Sequence, residues 1–400
     1  MDRRVEQQRG SAGNDPLGVL ALASLYPHRG RPHQAAFNRQ QFGELARLCR
    51  FALVAPVPLP QLWGLCTARP VPEVDHPPFT LMRPPYLYPP GLLRSWHGRF
   101  LAACAWPVAW RLAGELGARV VLGNWLYPDA WAALKLARRL GLPLVAQALG
   151  SDLMLAEGRT WRRHRVQEVL LGARLVVVKS RPLARAALKL GLPPERLRLV
   201  PNGVDQKLFR PRSKAAAREK LDLHPAGRLV LWVGNLVKVK DPALALEALA
   251  ACPGAELLLA GDGPLMPALR RKAARLGLEG RVHWLGRVSH REVADLMAAC
   301  DALVLSSRSE GDPNVVLEAL ASGRPVAATR VGGVEELVRP GENGFLAQPG
   351  DAAGLGEALE KVLAGEWDPQ ALADTVAERS WPASARRLYE VLAEAAEAGA

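Results

Sequence analysis

Short apolar runs alternate with longer amphipathic stretches along almost the whole chain of 400 residues. The runs are rich in Val and Leu and lack polar alternation, which is typical of central strands in a parallel sheet buried on both faces. The stretches between them have helical spacing, and those at 130–140 and 182–190 are followed by Gly141 and Gly191, where a glycine is expected after a helix. This alternation predicts an α/β fold and excludes disorder, collagen and coiled coil as the dominant state.

The alternation occurs twice, with a turn-rich join between the two series. Strands are predicted at 18–25, 51–55, 119–123, 143–148, 175–179 and 198–200, and then at 229–233, 256–260, 281–285, 302–305 and 325–328. Pro, Asn and Gly cluster near 201–212, where the balance of charge also changes. This pattern predicts two doubly wound, Rossmann-like domains that face each other across a cleft, because such sheets bind ligands at the carboxyl ends of their strands.

The expected boundaries place the first domain at 1–205 and the second at 206–375. A C-terminal helix at 376–400 is expected to pack back on the first domain. Residues 56–90 hold many prolines and show no clear periodicity. They are predicted to form a long irregular excursion on the side of the first domain that would face a second substrate.

The excess of basic residues lies in the first half of the chain. Residues 1–200 carry 28 Lys and Arg against 12 Asp and Glu, whereas residues 201–400 carry 24 against 27. Either the arginine-rich surface is simply solvated, or it faces an anionic partner such as membrane headgroups or phosphate. Helix-turn-helix, zinc-finger and RNA-binding patterns are missing from the sequence, so nucleic acid is not an expected partner.

The cysteines indicate a reducing compartment, and the hydropathy bears on membrane insertion. The five cysteines form no Cys-x-x-Cys pair, which argues against a disulfide framework and a zinc site. No run reaches about 18 apolar residues, so no membrane-spanning helix is expected. The apolar run 17–25 behind the polar Met1–Gly10 is predicted to be a first strand. We therefore expect a cytoplasmic protein, peripheral on the inner face of the cell membrane if it contacts lipid.

The strongest chemical pattern is Ser-Glu-Gly-Asp-Pro-Asn-Val-Val-Leu-Glu at 309–318. Asp312 is expected to be the N-cap of a helix and Pro313 its first residue. The free N–H groups and the dipole of such a helix start form an anion site that suits a diphosphate. Glu310 and Glu318 would flank this site, where carboxylates can accept hydrogen bonds from sugar and ribose hydroxyls. A capped helix with solvated acids is the alternative.

Two further strand-to-helix turns carry glycines. In the first, at 233–241, Lys240 could neutralise a leaving diphosphate, although a lysine before a helix is often only solvated. In the second, at 261–264, the glycines permit positive φ or the close approach of a ligand. A plain tight turn explains the second pattern equally well.

These motifs together resemble the Glu-x7-Glu signature and the ordered glycine motifs of the group 1, or family four, retaining glycosyltransferases, which have the GT-B fold. The resemblance is dense over 198–350, where the motifs follow the family's order at 201–205, 234–240, 261–264, 307–318, 323–326, 331–333 and 341–344. The first half is similar only at scattered motifs. These lie at 37–41, 127–129 and 150–152, and they most resemble a bacterial subgroup that builds envelope or extracellular polysaccharides, the teichuronic-acid type.

The resemblance implies that a sugar is transferred, with retention, from a UDP- or GDP-linked donor to an acceptor hydroxyl. The acceptor would be a saccharide, either lipid-linked or part of a growing bacterial surface polysaccharide. Glu310, Lys240 and Asp152 are the implied catalytic residues, with Lys240 on the diphosphate, while Glu318 would hold the ribose. The implied donor-binding residues are Gly234, Asn235, Lys240, Gly263, Arg287, Val288, Glu310, Gly311, Asn314, Val315, Val316 and Glu318.

The chain departs from the family pattern at two positions. Asn235 stands where family members usually carry Arg, which weakens one expected diphosphate contact. Leu149 stands where many members carry His on the acceptor side. Asp152 remains near that position, and His164 is a candidate substitute for the missing histidine.

Two basic segments of the first half are candidate contacts for anions. His28, Arg29 and Gly30 replace the glycine-rich loop of the family and are predicted to bind the acceptor or a phosphate, with a solvated loop as the alternative. The segment 92–111 is either a membrane-interface helix or a buried helix with Trp fillers. Its basic and aromatic residues are Arg94, Trp96, Arg99, Phe100, Trp106, Trp110 and Arg111.

No Asp-x-Asp cluster is placed to hold a divalent ion, so neither a metal nor a cofactor is expected. The family is described as lacking a clear enzymatic nucleophile, with the leaving phosphate helping to deprotonate the acceptor, and no nucleophile is assigned here. Two other classes stay open. One is a different enzyme on the same fold, such as a sugar phosphorylase or a nucleotide-sugar epimerase, and the other is a non-catalytic scaffold of a polysaccharide assembly.

Overall fold

The computed structural model describes residues 16–32, 34–68, 76–87, 93–154, 160–224 and 227–397. The N-terminal segment Met1–Gly10, parts of the 56–90 excursion and the first residue of the 92–111 segment lie outside these residues. Two parallel sheets, each flanked by helices, confirm the predicted α/β class.

Seven parallel strands form the N-terminal sheet, in the order β3-β2-β1-β4-β5-β6-β7. Their continuous apolar sequences are buried because helices cover both faces of the sheet. The strands are β1 (Gly18–Leu22), β2 (Arg50–Val54), β3 (Thr80–Met82), β4 (Ala118–Asn124), β5 (Leu144–Gln147), β6 (Leu175–Val178) and β7 (Leu197–Leu199).

Six parallel strands form the C-terminal sheet, in the order β10-β9-β8-β11-β12-β13. The strands are β8 (Arg228–Val233), β9 (Ala255–Ala260), β10 (Val282–Gly286), β11 (Ala302–Leu305), β12 (Val326–Thr329) and β13 (Gly344–Ala347). The strand at 302–305 has the predicted bounds, whereas the edge strands β3 and β13 were not predicted. Both are short, and an edge strand has too few apolar residues to stand out in the sequence.

Helices connect the strands within each sheet. In the N-terminal half they are α1 (Ala36–Leu45), α2 (Leu59–Thr67), α3 (His97–Leu116), α4 (Trp131–Leu140), α5 (Ser151–Met154), α6 (Thr160–Gly172) and α7 (Arg181–Lys189). In the C-terminal half they are α8 (Lys214–Lys220), α9 (Pro242–Ala250), α10 (Met266–Arg275), α11 (His290–Ala299), α12 (Asn314–Ala321), α13 (Val334–Leu337), α14 (Ala352–Ala364), α15 (Pro369–Asp374) and α16 (Trp381–Glu397).

The predicted irregular excursion at 56–90 is partly regular. Its described residues hold helix α2, a short parallel pairing of Val57–Pro58 with Pro85–Tyr86, and strand β3, which extends the sheet beside β2. The prediction of an irregular segment was therefore wrong for these residues. The many prolines hid short elements whose strand character depends on pairing with the sheet.

Helix α16 returns to the N-terminal domain. Its residues Ala385, Leu388 and Leu392 pack in one core with Val19 and Leu122 of the N-terminal sheet. The chain thus passes between the two domains twice, once after β7 and once before α16. Each passage limits how the domains can move relative to each other.

The two passages run side by side. The Val204 amide donates to the carbonyl of Arg379 at 2.7 Å, and Val204 forms a parallel bridge with Ser380. A Cβ on Gly203 would lie 2.4 Å from the carbonyl carbon of Ser380, so only glycine permits this approach. Because the two passages pair closely, we treat residues 202–204 and 379–380 as one hinge segment, which we call the crossing.

Helix α3 contains most of the 92–111 segment. Leu101, Ala105 and Leu112 face the core, whereas Trp96 before the helix and Trp110 within it are 48% and 64% exposed. Among the described residues, no helix combines the length and the apolar character that a membrane span requires.

Candidate active site

A pair of cavities lies between the domains, at the carboxyl ends of strands from both sheets. The larger has a volume of about 680 Å³ and the smaller about 260 Å³, and both are lined by Val233 and Lys240. The larger is further lined by Arg31, Gln34, Ala35, Gly234, Asn235, Ala260, Gly261, Asp262, Arg287, Val288 and Val293. The smaller is further lined by Phe37, Leu149, Asn202, Glu310, Gly311, Asp312, Pro313, Asn314 and Val315. The expected cleft therefore contains residues of both domains.

Glu310, which lines the smaller cavity, pairs with Lys240, which lines both cavities. The ammonium of Lys240 donates to both carboxylate oxygens of Glu310, at 2.7 and 2.9 Å. Ser307 donates its hydroxyl to Glu310 at 2.6 Å. Glu310 is only 8% exposed, so these charge-assisted bonds hold its carboxylate in one orientation. The two residues predicted for the sugar and the diphosphate are thus brought together as an ion pair.

The residue that caps the start of α12 differs from the prediction. Pro313, not Asp312, is the N-cap, and no side chain caps the helix. Asp312 instead accepts two hydrogen bonds from Arg379, at 2.7 and 2.8 Å, and one from the Asn202 amide at 2.7 Å. The expected capping role of Asp312 was wrong, because both of its carboxylate oxygens accept from Arg379 and Asn202.

The first turn of α12 lines the smaller cavity through Asn314 and Val315. First-turn N–H groups lack intrahelical acceptors, so this turn can receive an anion. The side-chain oxygen of Asn314 is buried without a hydrogen-bond partner among the described residues. Val316 was predicted to bind the donor, but its amide already donates to the carbonyl of Pro313 at 3.1 Å and is not available to a phosphate.

Glycines let the loops of this region pack against each other. A Cβ on Gly261 would lie 1.8 Å from the carbonyl oxygen of Gly234, and one on Gly332 would lie 1.8 Å from that of Glu310. The turns after β8 and β9 are therefore in direct contact, and the loop at 331–333 packs against the backbone of Glu310. Gly263 packs on Leu236 and is not among the lining residues, so its predicted contact with the donor is at most indirect.

The remaining donor-side predictions divide between the cavity wall and the layer behind it. Asn235, Arg287 and Val288 line the larger cavity, and Arg287 pairs with Asp262 at 3.3 Å. Glu318 is not among the residues that line either cavity. Its carboxylate is 2.9 Å from the Nε2 atom of His290. The sequence analysis did not predict this histidine partner.

Asp152 has no exposed surface. Its carboxylate accepts hydrogen bonds from the backbone amides of Leu126, Leu149, Gly150 and Leu153, at 2.8 to 3.3 Å. Burial raises the pKa of Asp152, and these four amides oppose the rise. The predicted catalytic contact of Asp152 is not seen in this structure, because Asp152 lines neither cavity and its carboxylate instead holds the turn at 149–153.

The turn that Asp152 holds contacts the C-terminal domain directly. A Cβ on Gly311 would lie 2.6 Å from the carbonyl oxygen of Leu149, and the Ser180 hydroxyl donates to the Gly311 carbonyl at 2.7 Å. Leu149 lines the smaller cavity, where the family pattern expects a histidine. His164 is exposed on α6 and is not among the residues that line either cavity, so it does not replace that histidine.

The predicted loop of His28, Arg29 and Gly30 is adjacent to the larger cavity. His28 is buried and bridges to Arg31, and Arg31 lines the cavity whereas Arg29 and Gly30 do not. The basic residues of the loop correctly indicated that it lies near the cavity, but the sequence could not identify which arginine lines the cavity.

The start of this loop is held by Asp129. Its carboxylate accepts hydrogen bonds from the Ser24 amide and hydroxyl, at 2.6 and 3.0 Å. Burial raises the pKa of Asp129 to about 7, against the effect of the two bonds from Ser24. Asp129 thus belongs to the support of the loop and was not predicted as such.

No group of His, Cys, Asp and Glu among the described residues is arranged to hold a metal ion. Near the two cavities, Lys240 pairs with Glu310, Arg287 with Asp262, and Arg379 with Asp312. The arrangement can bind an anion at the α12 start, stabilise negative charge with Lys240 and accept hydrogen bonds with Glu310.

Two protein-family models match the chain, one in each domain. Residues 26–208 match "Glycosyltransferase Family 4", and residues 213–379 match "Glycosyl transferases group 1". The boundary between the two matches lies within the turn-rich join near 201–212.

Curated relatives are similar over part of their length. The D-inositol 3-phosphate glycosyltransferase of Mycobacterium tuberculosis is 34% identical over 266 residues, which cover 63% of this chain and 52% of the relative. The chain thus spans about half the length of the curated relatives that it matches. The predicted teichuronic-acid subgroup stays a prediction, because these relatives have a different acceptor in their name.

Solved structures share the two-domain fold. Sucrose-phosphate synthase from Thermosynechococcus elongatus superposes with a TM-score of 0.78 at 23% identity, over 95% of this chain and 99% of that one. Anabaena HepE in complex with UDP and glucose gives a TM-score of 0.71 at 23% identity, over 95% and 98% of the two chains. This likeness confirms the predicted GT-B fold.

Proposed function

We propose that the chain is a glycosyltransferase, because one glycosyltransferase model matches its N-terminal half and a second matches its C-terminal half. We propose that the protein transfers a sugar, with retention, from a nucleotide diphosphate donor to an acceptor hydroxyl. The single observation that carries the proposal is the Lys240–Glu310 ion pair, in which Glu310 lines the smaller cavity and Lys240 lines both.

A donor would exchange the partners of this pair. The diphosphate carries more negative charge than one carboxylate, so Lys240 would turn from Glu310 toward the phosphate oxygens. The freed oxygens of Glu310 would then accept hydrogen bonds from hydroxyls of the donor sugar. As the bond to the leaving phosphate breaks, Lys240 and the start of α12 would stabilise the growing negative charge.

We assign no enzymatic nucleophile. The reacting sugar would have oxocarbenium character, and the leaving phosphate would help to remove the proton of the acceptor hydroxyl. Product analysis distinguishes the proposed transferase from a phosphorylase or an epimerase on the same fold. An epimerase, for example, needs no acceptor and releases no free nucleotide diphosphate. A non-catalytic scaffold would keep its activity in the cell after Glu310→Ala.

The donor is found by thermal unfolding in the presence of nucleotide diphosphates and nucleotide sugars. A ligand at about a hundred times its Kd stabilises the folded state by about 2.7 kcal/mol, so the true nucleotide should stand out. UDP and GDP compounds are tested first. If no nucleotide diphosphate raises the melting temperature, the proposed reaction has lost its support.

For the acceptor we propose a hydroxyl compound that also carries a phosphate. Arg31 and Gln34 line the larger cavity on the N-terminal side, and the relatives named above support a phosphorylated acceptor. A phosphorylated sugar or polyol and a lipid-linked saccharide share this chemistry. Transfer assays with a water-soluble sugar phosphate and with a lipid-linked saccharide distinguish them. The cell-envelope polysaccharide role holds only if the second acceptor is used.

We further propose that α3 contacts an anionic membrane from the cytoplasmic side. Trp96 lies just before the first residue of α3, and Trp110 lies fourteen residues further along, about 21 Å at the rise of a helix. The guanidinium of Arg99 lies 4.5 Å from the ring of Trp96, and Arg111 is also exposed. Exposed Trp and Arg side chains on one segment suit a headgroup region that carries negative charge.

Vesicle co-sedimentation tests this contact. The double variant Trp96→Ser and Trp110→Ser should lose most of its pelleting with vesicles that contain phosphatidylglycerol. A matched control, Leu276→Ser with Leu285→Ser, changes exposed apolar residues of the C-terminal domain and should pellet like the wild type. Equal, negligible pelleting of the wild type with anionic and neutral vesicles contradicts the proposal.

The proposed chemistry needs no divalent ion, because Lys240 and the helix start supply the positive charge. Turnover in excess EDTA should therefore equal turnover without it. Loss of activity that added Mg²⁺ or Mn²⁺ restores would contradict this part of the proposal.

A further inference from the structure

We infer that His290 is a positioning residue that orients Glu318 toward the ribose of the donor nucleotide. The inference rests on the proposed function, in which Glu318 binds that ribose. It adds a residue whose loss should change the discrimination between ribose and deoxyribose.

The geometry fixes the direction of the hydrogen bond. The Nε2 atom of His290 is 2.9 Å from the Oε1 atom of Glu318. An ionised carboxylate can only accept, so Nε2 carries the proton and donates. The side chains of His290 and Glu318 are 25% and 14% exposed, so the bond is partly shielded from water. No other hydrogen bond to the Glu318 side chain is found among the described residues, and Oε2 stays available as an acceptor.

The position of His290 is fixed by its own surroundings. Ser289 and Glu292 form a capping box at the start of α11, which places His290 at the first helical position. The buried ring of Phe209 packs against the imidazole, with 4.9 Å between the ring centroids and an angle of 61° between the ring planes. A side chain held by its helix start and by an aromatic ring keeps few rotamers, and it transmits that order to Glu318.

The pair lies beside both cavities. Val293, three residues after His290 on α11, and Val288 just before the helix line the larger cavity. Val315, three residues before Glu318 on α12, lines the smaller one. Residues three apart lie on one face of a helix, so His290 and Glu318 each lie one turn from a lining residue, on the side of the helix that faces the cavities.

This arrangement predicts selectivity for a vicinal diol. With Oε1 held by His290, Oε2 is the oxygen that would accept from the ribose hydroxyls. Without His290 the carboxylate can rotate and face water. Its preference for a nucleotide with a 2′-hydroxyl should then fall by about tenfold, which is typical for losing one hydrogen bond to a charged group.

Calorimetric titration with UDP, 2′-deoxy-UDP, GDP and 2′-deoxy-GDP tests the inference. The quantity is the ratio of the two Kd values, deoxy over ribo, for the base that binds. The ratio should fall about tenfold in His290→Ala and recover in His290→Gln, whose amide can donate in the same place. The control His283→Ala removes a similar histidine, 2.6 Å from Glu256 and remote from the cavities, and should leave the ratio unchanged.

A ratio in His290→Ala within twofold of the wild type overturns the inference, as does a wild type that binds ribo and deoxy forms equally. A ratio in His290→Gln as low as in His290→Ala also overturns it, because the hydrogen bond would then not be the cause. A wild type that binds none of the four nucleotides contradicts the proposed function itself. Binding by titration does not depend on the acceptor, so the two failures are distinguishable.

Discussion

Three pairs of acidic and basic side chains lie around the two cavities. Lys240 pairs with Glu310, Arg287 with Asp262, and Glu318 with His290. Binding of a charged donor would replace some of these partners, and the net gain would be the difference between old and new contacts. Single-residue changes should therefore alter catalysis more than overall stability at these positions.

Glu310 offers the most direct test at this scale. Glu310→Gln should lower kcat by about a hundredfold to a thousandfold, because the carboxylate proposed to contact the reacting sugar loses its charge. The matched control Glu360→Gln breaks a similar ion pair, with Arg228 at 2.8 Å, away from the cavities and should leave kcat unchanged. Transfer rates with the identified donor are the measurement, and a variant that keeps a third of the wild-type rate contradicts the assigned role.

Lys179 is a buried charge without a hydrogen-bond partner among the described residues. Burial lowers its pKa from 10.5 to about 7, Asp312 opposes this shift, and Arg379 adds to it. Between these two pH values the unfolded chain holds a proton that the folded chain lacks, so stability rises with pH across this range. Below about pH 7 the folded state carries the full cost of the buried ammonium.

Lys179→Met should therefore stabilise the protein by about 1–4 kcal/mol at neutral pH. The gain should shrink as the pH rises toward 10.5. Denaturant unfolding at several pH values is the measurement, and the exposed Lys189→Met serves as the control with no expected change. A gain that is constant with pH would show that the charge of Lys179 is not its cause.

At the scale of elements, the glycine turns decide how closely loops and domains approach. Gly150 and Gly311 lie on opposite sides of the contact between the domains, where each leaves room for the other's backbone. Sequence reasoning placed both residues in motifs of the cleft. It could not identify their contact, because their separation in the chain is large and only the folded domains bring them together.

Gly311→Ala tests this contact. The added Cβ would meet the Leu149 carbonyl at 2.6 Å, so the domains must separate slightly and kcat/KM should fall at least tenfold. Gly114→Ala, inside α3 with open space around it, is the control and should stabilise the protein by about 0.5–1 kcal/mol without changing kcat/KM. Unchanged kcat/KM in Gly311→Ala would mean that this contact has no part in the reaction.

At the scale of the whole molecule, Asp312 connects the crossing to the site. Asp312 follows Glu310 by two residues and binds both strands of the crossing, through Asn202 and Arg379. A change in the angle between the domains must therefore strain or move the loop that carries Glu310. This coupling depends on the Asp312 side chain, which is 2% exposed and, among the described residues, accepts hydrogen bonds from Asn202 and Arg379.

Arg379→Ala should destabilise the protein by about 3–5 kcal/mol, because it leaves the buried Asp312 carboxylate without its cation. Adding Asp312→Asn should recover part of this loss, and the double-mutant cycle measures the coupling between the two side chains. The control Arg330→Ala breaks an exposed pair with Glu335 at 3.7 Å and should cost at most about 1 kcal/mol. Additive effects of the Arg379 and Asp312 changes would contradict the coupling.

The sequence by itself determined the fold class, the two domains and the loops that meet at the cleft. The periodicity of a parallel sheet is local, since each strand must be apolar along its own length, as β8 and β11 are. The Glu310–Glu318 segment could likewise be assigned to a strand-to-helix turn, because strand, proline and helix signals lie within a few residues.

Only the tertiary structure decided which charges pair. Asp312 has the local pattern of a helix cap but binds Arg379, 67 residues away, and Asp152 has the pattern of a catalytic acid but is enclosed by backbone amides. His290 reaches Glu318 because two helices of one domain pack together. Hydrogen bonds and ion pairs act over a few ångströms in space and not along the chain, so these partners follow from the folded arrangement alone.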